Sequence, residues 1–209
     1  MTPHAAGSLE ARKTPVQTRS TATVEAIFEA TIQVLLREGA DRLTTTRVAA
    51  RAGVSVGTLY QYYPNKHSLL LAVIERHLNH VMEAVERACM EQRHQPLSTM
   101  VDAVVQAFVD AKLERRDASV ALYAVVSESG GEAVVARLAK KARTAMSSML
   151  KTAPGVHFSD IDFTVFMFFA AMAGAARVVL EAGASPKMVE NLRTHLVLLG
   201  EAYLNNAAK

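Results

Sequence analysis

The stretch that most restricts the fold is Ala52-Gly53-Val54-Ser55, a tight turn set between two short segments that each read as a helix. Upstream of it, Thr44 is placed to cap a helix whose inner face is Val48, Ala49 and Ala52. Gly53 supplies the left-handed residue that ends this helix. Val54 plugs the turn, and Ser55 caps a third helix that runs to about Tyr63, where Pro64 stops it. Ahead of both, Val24, Ile27, Phe28, Thr31, Val34 and Leu35 make one helical stripe over residues 23–38, closed by Gly39. Three helices of these lengths, joined by a tight glycine-containing turn, describe a helix-turn-helix unit.

The rest of the chain is read as helical too. Apolar residues at Leu69, Leu70, Val73, Ile74, His77, Leu78, Val81, Met82 and Val85 form the stripe of a long fourth helix, capped by Asn65 and ending near Gln92. Further helices are expected at about 97–114, 118–127, 131–151, 160–182 and 186–206, and no segment alternates as a strand would. The expected fold is therefore all-α: a three-helix N-terminal unit followed by a larger helical domain. Boundaries are placed at residues 1–20 for a flexible basic arm, 21–67 for the helix-turn-helix and 68–209 for the second domain. The most apolar stretch, 163–176, is too short to span a bilayer and reads as a buried helix. No membrane association is expected. The first residues lack the apolar run of a signal peptide, and a single cysteine, Cys89, excludes an internal disulfide framework. A cytoplasmic protein is the expectation.

Charge is distributed unevenly between the two parts. Residues 1–67 carry eight Lys/Arg against five Asp/Glu, a net of 8 − 5 = +3, whereas the remaining residues sum to zero. No carboxylate occurs between Arg42 and Ile74. A phosphate backbone favours such a distribution.

The string from Leu43 to Leu70, L-T-T-T-R-V-A-A-R-A-G-V-S-V-G-T-L-Y-Q-Y-Y-P-N-K-H-S-L-L, resembles the DNA-binding signature of the tetracycline-repressor (TetR) family. The resemblance covers the threonine cap, the Gly-Val-Ser turn, Gly-Thr-Leu-Tyr, the aromatic pair and the lysine that opens the fourth helix. It implies a sequence-specific regulator, usually a repressor, acting on a double-stranded palindromic operator. Beyond about residue 80 the chain resembles the family only in helix count and length.

The residues sort into two roles on this reading. With the third helix in a major groove, Leu59 and Tyr63 face inward, while Val56, Gly57, Thr58, Gln61 and Tyr62 face DNA. Gly57 lets the backbone come close, Val56 and the Thr58 methyl suit a thymine methyl, and Gln61 is the one long amide. Thr46, or Arg47 beside it, adds a base contact from the second helix. Thr44, Thr45 and the Ser55 cap lie at helix starts that attract phosphate, as does Lys66 at the start of the fourth helix. The family resemblance makes Tyr60 and Tyr62 phosphate contacts.

A dimer is required by a two-fold operator, and the last two helices are its expected interface. The resemblance also implies a small-molecule effector held in the second domain. Met82, Phe108, Tyr123, Phe163, Phe166, Met167 and Phe169 are the expected lining, adaptable and apolar, which suits a hydrophobic ligand. No cofactor is expected. The chain has no GxGxxG, P-loop or HExxH, so enzymatic function is not expected. His77 and His80, three apart with Glu83 beyond, have a spacing that suits a metal, but His77 falls on the apolar stripe and reads as structural.

Overall fold

A computed structural model describes residues 15–208, with side chains described from Ser20 onward. The described chain forms two compact units, one ending at Asn65 and the other beginning at Lys66. The first contains α1 (Pro15–Glu38), α2 (Thr45–Ala52) and α3 (Val56–Tyr62). The second contains α4 (Lys66–Glu91), α5 (Leu97–Glu114), α6 (Arg116–Tyr123), α7 (Glu132–Leu150), α8 (Ile161–Glu181) and α9 (Pro186–Ala207). Among the described residues there is no strand, only one isolated bridge between Phe158 and Ala208.

In the first unit Ile27, Phe28, Ile32 and Val34 of α1 are buried, as are Leu43, Val48 and Leu59. Such a small core depends on well-made helix ends. Thr44 accepts a hydrogen bond from the Arg47 amide (3.2 Å) and Ser55 accepts one from the Thr58 amide (2.9 Å), so both short helices are capped. Between them Gly53 adopts φ 68°, a left-handed conformation that any side chain would strain. Helix α1 starts earlier than its apolar stripe, at Pro15. Residues 15–20 are thus helical and do not belong to an arm; the remainder of the expected arm lies outside the described residues. Proline at a helix start costs nothing, because its missing N–H has no partner there anyway.

The second unit is a helical bundle whose core joins Val81, Val85 and Cys89 of α4 to Met100, Val104 and Phe108 of α5. Met146 and Leu150 of α7, Val165, Phe168 and Met172 of α8, and Leu192, Leu196 and Leu204 of α9 complete it. Helix α9 comes close to this core at Gly200. A Cβ there would stand 2.7 Å from Phe168 Cε2 and 2.7 Å from Val101 Cγ1. Helix α8 has 21 residues, longer than the apolar stretch within it, and by length and composition it is sufficient to cross a membrane. In this bundle its Thr164, Val165, Phe168, Phe169, Met172, Ala176 and Leu180 are buried instead.

Candidate nucleic-acid interface and effector cavity

Helix α3 presents two unlike faces because one side carries the apolar Leu59 and the other carries polar side chains and a glycine. Leu59 is fully buried, whereas Gly57, Tyr60 and Gln61 are exposed and Val56 and Thr58 half-buried. Tyr60 and Thr45 share a 3.1 Å hydrogen bond, which joins the start of α2 to the middle of α3. The Tyr62 hydroxyl donates to Ser20 of α1 (3.3 Å), so this ring leans towards α1. Thr44 and Thr46 are exposed. Arg47 is engaged already: its guanidinium donates to Glu38 (2.7 Å) and to the Arg42 carbonyl (2.9 Å), which ties α2 to the end of α1. Lys66 is exposed and is the first residue of α4, in the second unit.

The second unit encloses a cavity of about 300 Å³. It lies among α4 (Ile74, His77, Leu78, Met82), α5 (Phe108, Lys112), the α6 segment (Ser119, Leu122, Tyr123), α7 (Val135, Leu138) and α8 (Phe169, Ala173, Arg177). Phe108 and Phe169 meet edge to face, with ring centroids 6.0 Å apart. The polar groups are few and specific, as in small-molecule sites generally. Lys112 Nζ lies 5.0 Å from the centre of the Tyr123 ring and 6.0 Å from that of Phe108. Arg177 lies 5.1 Å from the Tyr123 ring.

Two family descriptions match this sequence. "Bacterial regulatory proteins, tetR family" covers residues 27–73, and "Tetracyclin repressor-like, C-terminal domain" covers residues 96–204. The second alone spans more than half of the chain. This chain belongs to the tetR family. Curated relatives match over about a third of the chain: the repressor KstR of Mycolicibacterium smegmatis is 34% identical over 64 residues, 31% of this chain and 31% of its own. The uncharacterized regulator YvdT of Bacillus subtilis is 31% identical over 62 residues, 30% of this chain and 32% of its own. The match thus spans about a third of the length of these relatives. Among solved structures, the fatty acid degradation regulator FadR of Bacillus halodurans shares the fold with a TM-score of 0.69 at 16% identity, covering 84% of this chain and 94% of that one. A TetR regulator of Haloarcula marismortui reaches 0.70 at 19% identity, covering 90% of this chain and 100% of that one.

Within this tetR-family chain the expected cavity lining divides in two. Met82, Phe108, Tyr123 and Phe169 line the cavity. Phe163, Phe166 and Met167 do not: they are 59%, 44% and 44% exposed, on the outward side of α8. The reason is that α8 is apolar around its whole circumference, so its pattern selects no face. Packing does, by setting Phe169, Ala173 and Arg177, at four-residue steps, along the cavity, with the Arg177 side chain still largely exposed.

His77 and Lys112 were not expected at the cavity. Lys112 carried a signal nonetheless, since it falls one turn beyond Phe108 on the buried side of α5. Ser119 donates to the Lys112 carbonyl (3.3 Å) and shares a 2.9 Å hydrogen bond with His77 Nε2. Burial, reinforced by the Lys112 charge, pushes His77 down to about 3, and the ring is neutral. His80 pairs with Glu114 (3.0 Å), so the two histidines serve different partners. Among the described residues no group of three potential metal ligands occurs. Cys89 is buried, and burial pushes its thiol up to about 12, which leaves it unreactive.

Proposed function

We propose that this chain is a sequence-specific transcriptional repressor that grips a palindromic operator as a homodimer and lets go when a small, mostly apolar molecule enters its second unit. TetR-family regulators are DNA-binding repressors, and the finer statements rest on the residues. The observation that carries the reading is the exposed face of α3. Val56, Gly57, Thr58, Tyr60 and Gln61 stand together there, in a stretch without a carboxylate, on a helix fixed by its own caps. Val56, Gly57, Thr58 and Gln61, with Thr46, read base edges, and Thr44, Thr45, Ser55, Tyr60 and Lys66 hold phosphates. Two residues take lesser parts. The Tyr62 hydroxyl is shared with Ser20, and Arg47 is held by Glu38, so neither is as available as its neighbours.

Dimerisation through α8 and α9 is supported by an outward stripe at helical spacing: Phe163, Phe166, Met167, Ala170, Ala171 and Val178 on α8, with Leu198 and Leu199 on α9. The effector acts through α4. This helix follows the reading unit directly in the chain and contributes Ile74, His77, Leu78 and Met82 to the cavity. A ligand that prefers one position of α4 changes the separation of the two reading helices and so the affinity for DNA.

Selection of genomic fragments by the purified protein at moderate salt tests the reading. The expected product is a small set of fragments sharing a two-fold-symmetric sequence; recovery of no enriched fragment contradicts it.

A further inference from the structure

The cavity has an unbalanced charge. Lys112 is only 5% exposed, yet among the described residues its ammonium has neither a salt-bridge partner nor a hydrogen bond. No aspartate or glutamate lines the cavity. The second cation there, Arg177, is matched, since its Nε donates to Glu181 (2.9 Å). A buried ammonium without an anion is costly, and aromatic faces at 5.0 and 6.0 Å offset only a part of that cost. Burial lowers the Lys112 ammonium to about 8, so at neutral pH it still carries its charge. Its surroundings are otherwise apolar: Met82, Phe108, Leu122 and Phe169. The remaining polar neighbours add no negative charge. His77 is neutral, and Tyr123, pushed up to about 12, keeps its proton.

We infer that the effector is an apolar small molecule with one anionic head group, a carboxylate that pairs with Lys112 while its body lies against Phe108, Tyr123 and Phe169. The inference rests on the reading of this cavity as the effector site. A carboxylate at Lys112 makes a charge-assisted hydrogen bond in a place where water competes poorly, and such bonds are the strong ones. An uncharged molecule of the same shape leaves the ammonium uncompensated, and a cationic one adds repulsion. The cavity thereby selects acids over the matching alcohols and amines.

Calorimetry on the full-length protein tests this with head groups varied on a constant body: octanoate, octan-1-ol and octylamine, and phenylbutyrate beside phenylbutanol. The acids are expected to bind roughly ten- to a hundredfold tighter than the alcohols, with the amine weakest. Lys112→Met, which keeps the stem and removes the charge, is expected to fold with an unchanged or raised Tm and to bind acid and alcohol about equally. Acids that bind no better than alcohols, or not at all, overturn the inference, as does a preference that survives Lys112→Met. Release of operator DNA, followed separately by fluorescence anisotropy, tells the two readings apart. Alcohols that bind and release DNA as well as acids do leave an effector site without an anion anchor. Acids that bind through Lys112 without affecting DNA leave the anchor and contradict the release mechanism.

Discussion

Gly57 lies on the exposed side of α3, and nothing within the chain requires a glycine there. A Cβ would meet only Ser55 Oγ, at an ordinary 3.7 Å. Alanine suits a helix better than glycine by about 1 kcal/mol, so the residue is explained by what approaches from outside. Gly57→Ala is expected to leave the Tm unchanged or slightly raised while operator affinity falls by about 1–3 kcal/mol, as for the loss of a base contact. Unfolding curves and DNA titrations on one preparation check both halves. His77 supplies a second prediction at this scale. Its folded value of about 3 lies below the usual 6.5, so the unfolded chain binds the extra proton between those limits. Its contribution is complete above about pH 6.5 and is lost as pH falls towards 3, at up to about 1.4 kcal/mol per pH unit. Facing charges modulate this: Lys112, Arg115 and His80 hold the value down, and Asp117 raises it. His77→Gln is expected to flatten the acid limb of a stability–pH profile, and an unchanged limb contradicts the assignment.

At the scale of elements, Gly200 and the outward side of α8 make opposite predictions. Gly200 is where α9 meets Phe168 and Val101 without room for a methyl group. Gly200→Ala is expected to destabilise by about 1–3 kcal/mol through overpacking, despite the gain in helix propensity, as denaturant unfolding would register. Phe166→Asp, on an exposed position, is expected to leave the fold intact and to convert a dimer into monomers in sedimentation velocity. Wild-type protein that sediments as a monomer at micromolar concentration contradicts the proposed interface. These helices also mark where sequence was informative. Short capped helices were legible because Thr44, Gly53 and Ser55 are local signals whose meaning does not depend on the rest of the chain. The boundaries of α5, expected at 97–114, match for the same reason: Pro96 and the charged Arg115–Asp117 segment delimit it. The lining of the cavity was legible only in part. Along α8 every face is apolar, and Phe169 differs from Phe166 only through the helices packed around it. Lys112 was overlooked because a lysine is ordinarily a surface residue, and only its register with Phe108 distinguished it.

For the whole molecule, the proposed DNA-reading unit is followed directly in the chain by α4, with Lys66 at its first position and Met82 on the cavity of the second unit. Binding to DNA is therefore expected to have two separable parts: a sequence-reading part on α3 and a charge-dependent part that includes Lys66. The most direct measurement is the salt dependence of affinity for a palindromic duplex recovered by selection, made on the wild type and on Lys66→Ala. A steep linear fall of log K with log salt is expected, with a slope smaller by roughly two in the variant (one phosphate per protomer) and an unchanged sequence preference. A flat salt dependence, or a Lys66→Ala variant that matches the wild type in both affinity and slope, would contradict it.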